Sequence, residues 1–160
     1  MKRFLAALVA AATVAAPASA RVDEGTPELL RTIDQYVTVK VDPPRCNAGG
    51  IHGSWHPASS TLTLCTHGEV DAEDHDTVRH EVWHIVQQCL TPNGADRLHP
   101  VIRDPQDWDE MVMANISGRK LKWIIDNYPS HHVPAEIEAY VMAEHLTASQ
   151  VRSAFIRNCT

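Results

Sequence analysis

The stretch 71-DAEDHDTVRHEVWHIVQQCL-90 decides the fold. Val78, Val82, Ile85, Val86 and Cys89 recur at helical spacing and form one apolar stripe. Asp71, Glu73, Asp74 and Asp76 crowd the N-terminal end, where negative charge suits the helix dipole. Thr91-Pro92-Asn93-Gly94 ends the pattern, so a helix from Ala72 to Leu90 is expected. His80 and His84 stand four residues apart, which puts both imidazoles on one side of that helix, one turn apart. They fall roughly opposite the apolar stripe. Glu81 is rotated by about 100° from His80 and so flanks the pair. Such a helix packs its aliphatic face into a core and turns two nitrogen donors and a carboxylate toward a cleft.

N-terminal to this helix the sequence reads as strands. Thr26-Pro27-Glu28 opens a short helix, with Thr26 as N-cap, Pro at the first position and an acid in the first turn. Tyr36 to Val41 alternates in β-branched fashion and stops at Asp42-Pro43-Pro44. Ile51 to Trp55 and Thr61 to Cys65, joined by a turn over His56 to Ser60, are expected to form a hairpin. C-terminal to the central helix, four more helices are expected. They span Gln106 to Ser117, Lys120 to Asn127 with Gly118 as a break before it, Ala135 to Leu146, and Ser149 to Asn158. Pro129 and Pro134 bracket a loop with His131 and His132. The reading is one α+β domain: a small N-terminal antiparallel sheet or hairpin, then a mainly helical C-terminal part.

Residues 1–20 are set aside from that fold. Met1-Lys2-Arg3, an apolar run from Phe4 to Ala16 and the small-residue ending Ala18-Ser19-Ala20 make the three parts of a cleavable signal peptide, with cleavage expected after Ala20. The domain is then 21–160, and the protein is expected to be secreted or periplasmic. Outside the cytosol the even set Cys46, Cys65, Cys89 and Cys159 reads as two disulfides, and no Cys-x-x-Cys pair suggests a four-cysteine zinc site. Cys46 before the hairpin and Cys65 at its end favour Cys46–Cys65 and Cys89–Cys159.

Composition excludes several function classes. The 160 residues carry 14 Lys+Arg against 20 Asp+Glu, a formal charge of -6, which argues against a nucleic-acid-binding face. With 44% hydrophobic residues the chain has the makings of a core and is not a disordered one. No apolar run approaches the roughly 18–20 residues of a membrane span. Ten histidines are a surplus for this length.

Two imidazoles one turn apart on a rigid rod can ligate one Zn2+. Zinc in a catalytic site takes three protein ligands and leaves the fourth position to water, whose pKa it lowers toward about 7. A carboxylate alongside, here Glu81, can take the water's proton and pass it to a leaving amine. The metzincin continuation, a Gly three and a His six residues after the second His, is absent, since Gln87 and Leu90 stand there. A later helix must supply the third ligand, and Pro134-Ala135-Glu136-Ile137-Glu138-Ala139-Tyr140 offers two glutamates. Glu136, Tyr140 and Ala143 share one helix face, and Glu138, Met142 and His145 the opposite one, so only one glutamate can face His80 and His84. His99, His131, His132, Asp109 and Glu110 are further candidates. Gln87-Gln88 reads as a solvated helix face, and His52, His56, His67 and His75 as exposed or structural.

His80-Glu81-x-x-His84 followed by Glu136-Ile137-Glu138-Ala139 resembles the gluzincin metallopeptidases. In that family the third ligand is a Glu on a downstream helix, in a Glu-x-x-(Ser/Ala)-Asp pattern. The resemblance spans half the mature chain. It implies a zincin-like domain that hydrolyses peptide bonds of a peptide or protein substrate, with Zn2+ held by His80, His84 and Glu136 and with Glu81 as general base. It also implies a Tyr or His on the cleft wall that stabilises the developing oxyanion, for which His132, Tyr140 and His131 are the candidates. Tyr140 stands where the family has an Asp that steadies a ligand histidine. The hairpin resembles the edge-strand region that lines the zincin cleft. The chain is small for this family, so a shallow cleft, or a partner that completes it, is expected. Two other functions fit the same residues: a hydrolase of peptidoglycan peptides, and a disulfide-stapled non-catalytic protein with a structural zinc site.

Overall fold

In the computed structural model, residues 23–68, 72–91 and 98–160 are described. The leader expected over residues 1–20, and residues 92–97, which include the Pro92-Asn93-Gly94 stop expected after the central helix, lie outside them. Among the described residues no helix is long and apolar enough to cross a membrane.

The chain begins with α1 (Thr26–Ile33), which buries Leu29 and Ile33. Gly25, not Thr26, is its N-cap. Thr26 is already in the first turn and buried, and its hydroxyl shares a 2.7 Å hydrogen bond with His75 Nδ1, so this threonine serves tertiary packing and not the helix end. Three strands follow, β1 (Thr38–Val41), β2 (Gly53–His56) and β3 (Thr61–Leu64), in the order β1-β3-β2. β2 and β3 form the expected antiparallel hairpin, with Gly53 opposite Leu64 and His56 opposite Thr61. β1 makes the sheet mixed, because it pairs parallel with β3, Thr38 opposite Thr61 and Val41 opposite Leu64. The reason is the long connection over residues 42–52. It carries β2 past the slot beside β1, and β3 then fills that slot running in the direction of β1.

Two devices fix this connection. The Cys46–Cys65 disulfide closes it, with Cα atoms 5.4 Å apart. Asp42, at φ 47°, turns the chain out of β1 and clamps the segment after β3. Its carboxylate accepts from Thr66 N (2.7 Å), Thr66 Oγ1 (2.9 Å), His67 N (3.0 Å) and Gly68 N (3.2 Å). The Thr66 hydroxyl, followed by these amides, holds the Asp42 carboxyl below its ordinary value against the effect of burial.

The central helix α2 (Ala72–Cys89) is followed by α3 (Pro105–Asn115), α4 (Gly118–Asn127), α5 (Val133–His145) and α6 (Ala148–Cys159). The starts of three of them are written in side chains. Asp104 caps α3, Ser117 caps α4, and Thr147 with Gln150 makes a capping box at α6. Gly118 is therefore the first residue of α4, and the break lies before it at Ile116-Ser117. α2 packs against α5, α6, α1 and both strands of the hairpin. Val82 and Val86 meet Leu62, Val151 and Phe155 in one core, all almost fully buried. The Cys89–Cys159 disulfide joins the C-terminal ends of α2 and α6, with Cα atoms 5.3 Å apart. Buried Arg79 ties the N-terminal half of α2 to α5 and to the segment before α1: Nε donates to Ala143 O (2.8 Å), Nη1 to Asp23 (3.2 Å) and Nη2 to Asp76. The result is the α+β architecture expected, with α2 surrounded on nearly every side.

Candidate metal centre

α2 and α5 bring three donors together. His80 and His84 lie one turn apart on α2, and Glu136, in the first turn of α5, reaches across to both. His80 Nε2 and His84 Nε2 are 3.1 Å apart, His80 Nε2 is 3.3 Å from Glu136 Oε2, and His84 Nε2 is 3.4 Å from Glu136 Oε1. All three side chains are buried, and they are the one group of three or more metal-capable donors among the described residues.

The donor set fits a metal ion. Ligands at about 2.0–2.1 Å from a tetrahedral centre are roughly 3.3 Å from one another, the spacing these atoms show. Two imidazoles and one carboxylate are also the donor chemistry of a three-ligand zinc site. Glu136 Oε2 is a buried oxygen with no hydrogen-bond donor of its own, which suits a cation.

The electrostatics of the three groups are coupled. Burial alone pushes the His84 pKa down, but the hydrogen bond to Glu136 and its charge, then the charge of Glu81 and the contact with Gln87, bring it up to about 9. Burial likewise opposes ionisation of Glu136, yet the close approach of the His80 and His84 rings, 3.3 and 3.4 Å away, holds its carboxyl well below the usual range.

A cleft of about 180 Å³ opens onto these donors. Strand β2 forms one wall through Gly53, Ser54 and Trp55, and Leu98, Tyr128 and His132 contribute to the rest. Glu81 lines it beside His80 and His84. Gly53 is what admits Glu81: a Cβ there would lie 2.6 Å from Thr77 Cγ2 and 2.8 Å from Glu81 Cγ. The strand backbone thus lies directly against the α2 carboxylate, which only a glycine allows.

The other residues singled out in the sequence fall in different places. His132, the N-cap of α5, lines the cleft. Tyr140 does not; it sits against His80, ring centroids 4.5 Å apart at 60°. Tyr128, which sequence reasoning passed over, is the tyrosine that reaches the cleft. Burial, then the charge of Glu136, raises its pKa, so its hydroxyl keeps its proton. Glu138 is turned away from the donors and fully buried against α2. His99, His131, Asp109 and Glu110 are exposed and outside the donor group. Trp83 is core, whereas Trp55 is cleft wall.

Gln87 corrects the expectation of a solvated face. It is 0% exposed, and its Oε1 lies 2.7 Å from His84 Nδ1 while its Nε2 donates to Ala135 O (2.9 Å) and Glu138 Oε2 (2.8 Å). The signal was present as spacing, since Gln87 is one turn after His84 on the side that α5 covers. Nothing in the sequence marked Gly53.

Comparisons of the chain with protein-family models, with curated proteins and with solved structures find no match. The chemistry of the centre has to be read from its own geometry.

Proposed function

We propose that this chain is a zinc-dependent peptidase of gluzincin type that acts outside the cytosol. The observation that carries the reading is the convergence, under one open cleft, of the buried His80–His84–Glu136 triangle with the Glu81 carboxylate. A structural zinc site would have four protein donors and no need of a carboxylate at its open side.

When bound, Zn2+ supplies Lewis acidity that polarises a substrate carbonyl and acidifies a water. The protein's own residues do the rest. His80, His84 and Glu136 would hold the ion, each through an atom already turned to the centre. Glu81 accepts the proton of the attacking water and delivers it to the leaving amine, a carboxylate role worth about 10²–10⁴ in rate. Tyr128 O–H and His132 are the cleft donors available to the developing oxyanion. The half-buried β2 backbone, at the edge of the sheet, faces the cleft and can align an extended peptide. The two disulfides are compatible with an extracellular protein.

The test is Glu81→Gln beside wild type, with zinc content and hydrolysis of a panel of fluorogenic peptides measured together. One zinc per chain in both proteins, and a rate at least a hundredfold lower in the variant, is expected. Equal rates would overturn the mechanism, and absence of tightly held zinc in wild type would overturn the reading.

A further inference from the structure

The two histidines of the centre are supported unequally. His80 Nδ1 is buried and has no hydrogen-bond partner, so on that side the ring has no polar support, and the ring of Tyr140 packs edge-on against it. His84 Nδ1 meets Gln87 Oε1 at 2.7 Å. Behind Gln87 stands Glu138, which is 0% exposed. Its Oε2 accepts from Gln87 Nε2 (2.8 Å), Val101 N (2.9 Å) and Trp83 Nε1 (3.0 Å), and its Oε1 from Ile102 N (2.8 Å).

These contacts allow one arrangement of protons. Both hydrogens of the Gln87 amide are used, one on Glu138 and one on Ala135 O. A flipped amide would set its oxygen against a carboxylate and a carbonyl, and its NH2 against the imidazole. Gln87 Oε1 therefore faces His84 and can only accept, so Nδ1 must carry hydrogen. A neutral His84 then has its lone pair on Nε2, the atom turned to the donor triangle.

We infer that Gln87 and Glu138 are positioning residues: a buried relay that fixes the tautomer of His84 and presents its Nε2 lone pair to a metal ion. The relay rests on the metal reading proposed above. It stands in for a direct carboxylate–imidazole contact, here spread over two side chains. The same carboxylate pins the backbone at Val101 and Ile102, a few residues after the cleft residue Leu98. One buried group thus serves a metal donor and a cleft wall at once. Support of this kind typically changes metal affinity by about 10–100-fold.

The experiment is two-bond ¹H–¹⁵N spectroscopy of the imidazoles in the full chain, first metal-free at a pH where His84 is neutral, then with Zn2+ added. His84 is expected with its proton on Nδ1 in both states, and Zn2+ is expected to shift Nε2. Gln87→Leu should yield a mixed or inverted tautomer and a Zn2+ affinity roughly 10–100-fold lower in chelator competition. A wild-type proton on Nε2 overturns the relay. So does a folded Gln87→Leu that keeps tautomer and affinity, even if its melting temperature drops, because that is the mark of a purely structural residue. Should Gln87→Leu fail to fold, the wild-type spectrum alone decides. If wild type binds no Zn2+, the metal reading fails while the metal-free tautomer still answers for the relay.

Discussion

On the flank of α2 that meets α5, His84 is aimed by hydrogen bonds; on the flank that meets β2, Glu81 is aimed by the absence of a side chain. The first flank is chemically dense. Gln87, Glu138, Trp83 and two backbone amides form a closed set of donors and acceptors around His84. The second is a matter of shape, in which Gly53 lets the strand lie against the Glu81 stem. The difference suits the roles proposed. A metal donor has to point one way, and hydrogen bonds give direction. A base that takes a proton and gives it up is better confined by packing, because several donors on its carboxylate would hold it ionised and weak.

The largest expected effect follows from breaking the dense flank. Glu138→Ala leaves buried N–H groups at Trp83 and Gln87 and part-buried ones at Val101 and Ile102 without an acceptor. Unsatisfied buried groups cost about 1–3 kcal/mol each, so a loss of at least roughly 4 kcal/mol is expected in urea unfolding of the metal-free chain. A loss below about 1 kcal/mol would mean the flank is wet and the contrast false.

The disulfides divide the same way. Cys89–Cys159 closes a separation of 70 residues on the helical side, and Cys46–Cys65 one of 19 on the sheet side. Loop-closure entropy gives roughly 4 kcal/mol for the first and 3 kcal/mol for the second. Paired Cys→Ala variants, compared by denaturant midpoint, should rank in that order. The reverse ranking would locate the weaker half of the fold in the sheet.

How much of this could be read beforehand follows from the range of each interaction. His80, Glu81 and His84 were legible because they share one helix, where spacing is geometry. Glu136 against Glu138 was a matter of helical phase plus a family pattern, and the two glutamates do face opposite ways. Gln87 was misread because periodicity shows which side of a helix is apolar, not whether the polar side is covered; here α5 covers it. Thr26 was misread for a related reason, its hydroxyl being taken by His75 from α2. The parallel pairing of β1 depends on the path over residues 42–52, which no local pattern encodes. Gly53 was silent because the information lies in atoms that are missing.

Titration separates the centre from the rest of the dense flank. In the metal-free chain burial lowers the His84 pKa, and the Glu136 hydrogen bond and charge more than reverse this, to about 9 from the ordinary 6.5. A folded pKa above the unfolded one means stabilisation that is complete below 6.5 and lost as pH rises through about 9. Glu136 has the opposite sign: its carboxyl is held below the ordinary 4.5, so its contribution is complete above that value and fades in acid. Metal-free stability should therefore decline between pH 6.5 and about 9, by on the order of 2 kcal/mol. With Zn2+ bound the trend reverses, because ligation needs neutral rings and tightens as the proton leaves. Denaturant midpoints across this range with and without Zn2+ test both signs; parallel curves would exclude His84 as a ligand.

The smallest effect on stability is expected at Gly53, and it bears most directly on the sheet flank. Alanine there brings a methyl within 2.6 Å of Thr77 Cγ2 and 2.8 Å of Glu81 Cγ. Thr77 is branched at Cβ and set in the helix, whereas Glu81 can swing about its own stem, so Glu81 is the group that yields. Small overpacking of this kind costs about 1–3 kcal/mol, and because moving Glu81 leaves the Thr77 contact in place, β2 must also shift slightly. The base would leave its position while His80, His84 and Glu136 keep theirs. Zinc affinity should then stay within about twofold of wild type while the hydrolytic rate drops at least about tenfold, the separation a displaced general base produces. If affinity and rate fall together, β2 supports the whole centre and the two flanks are not independent. If neither falls, the Glu81 stem has room that the close approach of Gly53 denies, and the shape of this wall does not aim the base.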